Sequence, residues 1–368
     1  MYKILISGYY GFNNIGDESI LKAVIDNLHE KLDGIEITVL SQNPESTAEK
    51  YGVRAKNRKS AGAILTSLRR CDLLISGGGS LLQDVTSKRS IIYYLMIMNA
   101  ALLMRKKVLI YSQGIGPITS KFNRRLTAGT LRKVSGIVVR DDSSKELLTE
   151  IGIDAERIVV TADPVLRIKP ADIESGKRIL ESEGFVPEEG KITVGFAIRE
   201  RKSDESFISE LCTSMERLVA EQNAQIVLIP FHYSEDRPFI EEVSKRLAGK
   251  VFAVKHKYLT EEMLSIIGNM DVLVGVRLHA LIHAAIMDVS MIAVSYDPKI
   301  NSFMNSIGMK AMCSIYDFNS EFFMEEFKRT VSCGDINRIK VQEKIRGLIL
   351  KLESNEDMIK KLMGKRNE

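Results

Sequence analysis

The chain has 368 residues, of which 45% are hydrophobic and 27% are charged. These proportions are typical of a folded globular protein and exclude a disordered chain. The 52 basic and 48 acidic residues leave a formal net charge of +4. This balance argues against nucleic-acid binding through bulk charge, and the length predicts two domains.

Compartment and membrane topology are predicted from the cysteines and the apolar runs. The cysteines are widely spaced, at Cys71, Cys212, Cys313 and Cys333. This spacing argues against a zinc ribbon or a disulfide framework and suits a reducing cytosol. The N-terminal MYKILISGYYG is interpreted as a strand, and the longest apolar run, 91–104, is shorter than the ~20 residues that cross a bilayer. We therefore predict a cytoplasmic protein.

Short β-rich runs alternate with helical stretches along the chain. The predicted strands are 3–7, 36–40, 72–76, 107–112, 136–139 and 157–161, followed by 192–198, 225–230, 251–254, 271–275 and 291–295. This alternation predicts parallel sheets with helices on both faces. We therefore predict an α/β protein with two Rossmann-like domains facing each other across a cleft. The predicted divisions are a first domain at 1–166, a linker at 167–176, a second domain at 177–335 and a helical tail at 336–368.

Ligands of such sheets bind beyond the carboxyl ends of the strands. The first loop in that position, residues 7–18, lacks the G-x-G-x-x-G fingerprint and so argues against a nicotinamide oxidoreductase. Its side chains offer rings and amides that suit a sugar, at Tyr9, Tyr10, Phe12, Asn13 and Asn14. Asp17 at the start of the next helix is either a cap or a carboxylate that takes a proton from a sugar hydroxyl.

Two more glycine-rich loops follow strands of this half. The run Gly77–Ser80 is predicted to open a helix whose amides bind an anion such as a diphosphate, or to allow close helix–sheet packing. Gly78 and Gly79 in that run, and Gln113 in the next loop, are candidate acceptor-binding residues. Arg140 ends a further strand and is either part of a structural salt bridge or an anion-binding arginine.

The most informative run of the second half is VGVRLHA, which is predicted to follow a strand and open a helix. Arg277 suits a carboxylate or phosphate, and His279, two residues on, can donate a proton. His283 completes an H-x-x-x-H pattern, but the absence of a third ligand favours a buried histidine over a metal site. Further candidates for the same edge are Lys299, Arg199 and His232.

The interval between Asp84 and Asp141 contains eleven basic residues and no acidic one. It also contains an apolar helix predicted at 90–104. This combination is interpreted either as a core helix flanked by solvated loops or as a surface that contacts an anionic membrane.

Taken together, the motifs resemble those of the polysaccharide pyruvyl transferase family, and more narrowly of its bacterial CsaB type. That type modifies the secondary cell-wall polymer that anchors surface-layer proteins. The matching segments are GYYGFNNIGDE, SGGGSLLQD, SQGIGP, VVRDDSS, TADPV and VRLHA.

The resemblance implies a glycosyltransferase-B-like fold that uses phosphoenolpyruvate as donor and no nucleotide sugar. It implies a 4,6-linked pyruvate ketal on an N-acetylmannosamine residue of a lipid-diphosphate-linked disaccharide, made at the cytoplasmic membrane face. It assigns Arg140, Arg277, His279 and Lys299 to donor binding and catalysis and the first loop to the acceptor. The scheme requires no metal and no other cofactor.

The chemistry of the donor agrees with these residues, because phosphoenolpyruvate carries two anionic groups and needs fixed cations. His279 is the predicted general acid, and Asp17 a candidate base. The alternatives are a nucleotide-sugar glycosyltransferase or epimerase of the same fold, and a non-catalytic sugar–lipid binding protein at the membrane. Nucleic-acid binding has no recognisable module here.

Overall fold

The computed structural model describes residues 1–85, 89–200 and 205–364. Within them, the strands are β1 (Tyr2–Tyr10), β2 (Ile35–Ser41), β3 (Arg54–Asn57), β4 (Leu73–Gly77), β5 (Lys107–Gln113), β6 (Gly136–Val139), β7 (Ile158–Val160), β8 (Ile192–Ala197), β9 (Ala224–Leu228), β10 (Val251–Ala253), β11 (Val272–Gly275), β12 (Ser290–Ser295) and β13 (Cys313–Ser314).

Helices separate most of these strands. They are α1 (Ile15–Lys31), α2 (Pro44–Tyr51), α3 (Ala61–Arg70), α4 (Ser90–Leu103), α5 (Lys121–Leu131), α6 (Asp142–Glu150), α7 (Ile173–Ser182), α8 (Glu205–Glu221), α9 (Tyr233–Arg246), α10 (Thr260–Ile267), α11 (Leu278–Ile286), α12 (Pro298–Ser306), α13 (Ser320–Ser332), α14 (Gly334–Lys351) and α15 (Glu353–Gly364).

The strands form two parallel sheets. The first has the order β3-β2-β1-β4-β5-β6-β7 and the second the order β10-β9-β8-β11-β12-β13. In each sheet the order reverses once, between β1 and β4 and between β8 and β11. Such a reversal opens a crevice at the carboxyl ends of the strands, where ligands of doubly wound sheets bind. The prediction of an α/β protein with parallel sheets is confirmed.

Two compact units contain these sheets. The first comprises residues 1–12, 17–167 and 348–368, and the second comprises 13–16 and 168–347. Residues 336–347 of the predicted helical tail belong to the second unit, and residues 348–368 belong to the first. Residues 365–368 of that predicted tail lie outside the described residues.

Buried polar contacts hold α15 within the first unit. Asn355 is 1% exposed, and its amide nitrogen donates to Ser112 Oγ at 2.8 Å. The Glu356 carboxylate accepts a hydrogen bond from the side-chain amide of Asn27 at 2.8 Å and forms an ion pair with Arg167. Unpaired polar groups are costly in a protein interior, so these partners specify where α15 packs.

Charge and length explain the two strands that the sequence pattern does not predict. The residues of β3 are mostly exposed and include two basic side chains, and β3 lies at the edge of its sheet. β13 has only two residues. An edge strand such as β3 commonly carries charged side chains, and a strand of two residues is too short to show alternating hydrophobic positions. Neither strand therefore produces an apolar run in the sequence.

The apolar stretch in the basic interval forms a core helix. Ile91, Tyr94, Leu95 and Met98 of α4 are each at most 2% exposed, which agrees with the core-helix interpretation. Residues 86–88 of the same interval lie outside the described residues, and contact of this interval with a membrane stays a prediction. Within the described residues, no helix is both long and apolar enough to cross a membrane.

Candidate functional site

The glycine run after β4 does not open a helix as predicted. Gly78 and Gly79 adopt left-handed backbone conformations, with φ of 78° and 62°, and no helix begins before Ser90 in the described part of this loop. Left-handed residues cannot begin an α-helix, so this run offers no helix terminus to an anion. A Cβ at Gly79 would lie 2.7 Å from Asp17 Oδ1, so the run packs directly against the Asp17 carboxylate.

Asp84, further along the same loop, is a structural anchor. Its carboxylate accepts hydrogen bonds from the Thr119 and Ser120 amides, at 2.8 and 2.9 Å, and from the Asn123 side chain at 3.0 Å. Burial acts to raise the pKa of Asp84, but these hydrogen bonds outweigh burial and hold it at about 2. The carboxylate therefore fastens the loop to the start of α5.

Arg140 lies at the carboxyl end of β6, with its side chain only 5% exposed. Nη1 donates to Asp163 Oδ2 at 2.7 Å, Nη2 donates to Ser80 Oγ at 3.3 Å, and Nε lies 3.6 Å from Asp141 Oδ2. The salt bridge considered from the sequence is therefore present. Arg140 as an anion ligand stays a prediction, and an incoming anion has to compete with two carboxylates.

Gln113 is completely buried at the end of β5. Neither its amide nitrogen nor its amide oxygen has a hydrogen-bond partner within the described residues. The adjacent Gly114 packs against Arg140, since a Cβ there would lie 2.8 Å from Arg140 Nε. Gln113 thus precedes a residue that packs against Arg140, but its own side chain offers no exposed surface to an acceptor.

The first loop contains two kinds of aromatic residue. Tyr10 is 1% exposed, and its hydroxyl donates to the Gly77 carbonyl at 2.8 Å. Burial raises the pKa of Tyr10 well above its ordinary value. Its assignment to acceptor binding is therefore corrected: the ring is a core element. Tyr9 and Phe12 are half-buried and stack on each other, with ring centroids 3.9 Å apart and an interplanar angle of 3°.

In the second unit, Arg277 follows β11 and immediately precedes α11, as predicted. Its side chain is 12% exposed and Nη2 forms an ion pair with Asp236 Oδ1. The other oxygen of Asp236 accepts from the amides of Phe231 and His232, at 3.0 and 2.7 Å. Asp236 is completely buried, so these three contacts fix the direction of the guanidinium.

A second carboxylate joins this group. Glu235 Oε2 lies 3.0 Å from His232 Nδ1 and 3.7 Å from Arg277 Nη2. His232 is 6% exposed. The fold therefore brings together two of the predicted donor-binding residues, Arg277 and His232, through the carboxylates at the start of α9.

Residues 13–16 belong to this second unit and contact the same group. The Ile15 amide donates to the Phe231 carbonyl at 2.8 Å, and Asn14 forms an antiparallel bridge with His232. Gly16 lies against His279, because a Cβ at residue 16 would be 2.3 Å from His279 Nδ1. Asn14, predicted for the acceptor, thus lies beside a residue predicted for the donor.

Lys299 and Arg199 follow other strands of the second sheet. Lys299 is in the first turn of α12, and its Nζ lies 3.4 Å from Asp297 Oδ2. Arg199 donates to the Tyr296 hydroxyl at 2.8 Å, with its Cζ 4.6 Å from the centre of that ring. Both basic side chains therefore have neighbours contributed by the loop after β12.

The H-x-x-x-H pattern separates into two different environments. His283 is completely buried, and its ring packs against Phe231 at 5.4 Å between centroids, so the prediction of a buried histidine is confirmed. His279 lies one turn earlier beside Gly16. The described residues contain no cluster of three or more His, Cys, Asp or Glu side chains arranged to hold a metal ion.

Three functional candidates are absent from the sequence predictions: Asp236, Glu235 and Arg58. A signal for the carboxylates was available, since Glu235 and Asp236 follow a strand beside the predicted ligand His232. Arg58 had none, because it lies in the basic run KNRKS, which is typical of a solvated turn.

The fold is shared with solved structures, two of which contain UDP. Anabaena HepE, solved with UDP and glucose, has a TM-score of 0.67 at 11% identity, covering 99% of this chain and all of that one. S. aureus MnaA, solved with UDP, has a TM-score of 0.69 at 12% identity, covering 100% of this chain and 98% of that one. A Rickettsia africae glycosyltransferase has a TM-score of 0.66 at 13% identity, covering 100% and 99%. The chain therefore has the fold of glycosyltransferase-B-like transferases and epimerases.

The family is defined by the sequence match. Residues 14–298 match the polysaccharide pyruvyl transferase family, and the chain belongs to that family. The amylovoran biosynthesis protein AmsJ of Erwinia amylovora is 19% identical over 369 aligned residues, covering 85% of this chain and 88% of that protein. Family membership indicates a transferase that acts in polysaccharide pyruvylation.

Proposed function

We propose that the chain transfers the enolpyruvyl group of phosphoenolpyruvate to two hydroxyls of an N-acetylmannosamine residue, as in the CsaB type. The acceptor is a lipid-diphosphate-linked disaccharide, a cell-wall polymer precursor, and the product is a 4,6-ketal with release of phosphate. Family membership over residues 14–298 supports pyruvyl transfer. The observation that carries the site assignment is the group formed by Arg277, His232 and His279 with residues 13–16 in the second unit.

The donor has a carboxylate and a phosphate, and each requires a cation of fixed position. Arg277 is oriented by Asp236, and a planar guanidinium pairs with either anion through two parallel hydrogen bonds. Lys299 lies in the first turn of α12, where backbone amides also attract anions. Arg199, Arg140 and His232 complete the proposed donor ligands.

The reaction begins with proton transfer from His279 to the methylene carbon of phosphoenolpyruvate, which becomes a methyl group. The neighbouring carbon then accepts the oxygen of the first sugar hydroxyl, which loses its proton. Phosphate leaves as its bond to that carbon breaks, and the second hydroxyl closes the ring. One of the two hydroxyl protons replaces the one that His279 supplied, and the other leaves with phosphate. A positioned acid accelerates such a step by ~10²–10⁴.

The acceptor is assigned to the first loop. The half-buried rings of Tyr9 and Phe12 can pack against the apolar face of a sugar, and Asn13 and Asn14 carry amide hydrogen-bonding groups. Asp17 is the proposed base for one hydroxyl. Because this acceptor is attached to a lipid, we place the reaction at the cytoplasmic face of the cell membrane, with weak peripheral contact.

The first test is phosphate release from phosphoenolpyruvate by His279→Ala, with His283→Ala as the matched control. The His279 variant should fold normally and lose at least a hundredfold in kcat. The control should lose stability and keep activity per folded molecule, because His283 is buried in packing. Near-normal kcat in the His279 variant would refute the acid assignment.

The product is tested by mass spectrometry of a synthetic lipid-diphosphate disaccharide incubated with phosphoenolpyruvate. The proposal requires one added pyruvate less one water. Binding of the disaccharide without turnover would instead indicate a non-catalytic sugar–lipid binding protein.

A nucleotide-sugar glycosyltransferase or epimerase is the second candidate, because structures of the same fold contain UDP. Calorimetry separates the two candidates. We expect heat on titration of phosphoenolpyruvate and none on titration of a uridine diphosphate sugar, and the reverse result would favour the second candidate.

A further inference from the structure

Arg58 is a buried cation surrounded by aromatic rings in the first unit. It directly follows β3 and is 8% exposed. Its Cζ lies 4.7 Å from the ring centre of Tyr93, 5.1 Å from Phe12, 5.5 Å from Tyr94 and 5.7 Å from Tyr9. Four rings therefore contact a single guanidinium.

The polar contacts of Arg58 fix it from several directions. Nη1 donates to the Gly8 carbonyl at 3.2 Å and Nη2 to the Tyr94 hydroxyl at 3.1 Å. Its own carbonyl accepts from the Tyr93 hydroxyl at 2.7 Å, and its amide donates to the Ser41 carbonyl at 2.9 Å. Within the described residues, no carboxylate lies within ion-pair distance of the guanidinium.

A buried charge without a counter-charge is expensive unless its surroundings stabilise it. Here that stabilisation comes from the π faces of four aromatic rings, which attract a desolvated cation. The same contacts act in both directions: the rings stabilise the cation, and the cation holds the rings in place. Among the four, Tyr9 at the end of β1 and Phe12 just after it belong to the first loop predicted from the sequence, and both are half-buried as a stacked pair.

We propose that Arg58 is a positioning residue for acceptor recognition: it holds the Tyr9–Phe12 stack in the orientation that packs against the acceptor sugar. The inference rests on the proposed function, since it takes the first loop as the acceptor site. It adds a residue outside the loop, from the turn after β3, that determines the order of the loop. Arg58 acts through the rings and does not touch the reacting atoms.

A lysine cannot replace Arg58, because its ammonium has no planar face to lie against several rings. We therefore expect Arg58→Lys to raise the KM for the disaccharide acceptor about tenfold, which matches the loss of one to two cation–π contacts. The KM for phosphoenolpyruvate should change little, whereas the unfolding midpoint in urea should fall, because the lost cation–π contacts also stabilise the folded state. The near-UV circular dichroism of the tyrosines should weaken, because the stack loses its fixed geometry.

The matched control is Arg54→Gln, four residues earlier on β3. Arg54 is 66% exposed and pairs with Glu36 at 2.7 Å on the surface, so both KM values should stay unchanged. If Arg58→Lys does not fold, Tyr93→Leu removes the ring nearest the cation, which lies outside the Tyr9–Phe12 stack, and leaves the cation in place. It should give the same acceptor-specific increase in KM.

Equal changes in the two KM values, or an unchanged acceptor KM in Arg58→Lys, would overturn the role of Arg58. If the wild-type chain shows no turnover, the proposed function fails, and calorimetric titration of the disaccharide then decides the inference separately. Weaker binding to Arg58→Lys than to wild type supports it. Equal binding, or no binding to wild type, overturns it.

Discussion

Replacing Asp236 with Asn removes one negative charge from the interior of the second unit while keeping the shape of the side chain. The remaining amide oxygen can still accept the backbone amides of Phe231 and His232. The new NH₂ group then points toward Arg277, where two donors oppose each other. Among the described residues, the guanidinium then keeps Glu235, 3.7 Å from its Nη2, as its counter-charge.

The expected loss of stability in Asp236→Asn follows from the burial of both charged groups. Asp236 is completely buried and the Arg277 side chain is 12% exposed. Breaking a buried ion pair costs about 3–5 kcal/mol when the other charge is left uncompensated. Glu235 offsets part of this loss, so we expect the free energy of unfolding to fall by about 2–3 kcal/mol. Loss of the fixed guanidinium should lower kcat/KM for phosphoenolpyruvate by about ten- to a hundredfold.

The assays are urea unfolding and phosphate release, applied to Asp236→Asn, Arg277→Gln and the double variant. If Asp236 and Arg277 are coupled, the double variant should lose less stability than the sum of the two single losses. We expect the difference to exceed about 1 kcal/mol. The control is Glu241→Gln on the same helix, whose partner Arg237 is 57% exposed, and it should cost under about 1 kcal/mol. Additive stability losses in the double variant would refute the pairing on which this reasoning depends.

Two further predictions concern Gly16, in the first turn of α1, and Asp84, in the loop after β4. Gly16→Ala places a Cβ 2.3 Å from His279 Nδ1, so we expect at least a tenfold loss of phosphate release with the native fold retained. Asp84→Asn should lower the free energy of unfolding at pH 7 by about 2 kcal/mol, because its charge-assisted hydrogen bonds are lost. Its folded-state pKa of about 2 lies below the unfolded value, so this contribution is present above about pH 4 and disappears as the pH falls through 2.

Each of these predictions has a control. Gly62→Ala adds a Cβ that meets no atom within 4 Å, and in helix α3 it should stabilise by about 0.5–1 kcal/mol. Wild-type activity in Gly16→Ala would contradict the steric argument, because it would show that the start of α1 can move away from His279. Asp33→Asn changes an exposed carboxylate and should leave the free energy of unfolding at pH 7 within about 0.5 kcal/mol of wild type. The pKa argument is wrong if the difference in free energy of unfolding between wild type and Asp84→Asn stays constant from pH 7 to pH 2.5.

Most of the architecture could be predicted from apolar runs between helical stretches, because strands buried on both faces are nearly continuous in hydrophobic residues. The glycine run at 77–79 misled the prediction, since glycine permits both a helix start and a left-handed turn. Only contacts far along the chain decide between them: a Cβ at Gly78 would lie 2.3 Å from Ile20.

The candidate site was partly predictable for the same reason. Arg277 and His279 follow a buried strand, and the sequence places them at a sheet edge. Asp236 was not predicted as the partner of Arg277, because the two are 41 residues apart and meet only through the strand order. Arg58 shows the limit of composition arguments, since a lone arginine in a basic run has no pattern that distinguishes a buried cation from a solvated one.

The placement of α15 has a consequence for biosynthesis. The second unit is almost continuous in the chain, whereas the first needs residues from 348 onward to complete its interior. During translation, Ser112 and Asn27 leave the ribosome more than 200 residues before their partners Asn355 and Glu356. The nascent first unit therefore lacks α15 and the contacts of Asn355 and Glu356 while the second unit folds, and chaperones should engage it during that interval.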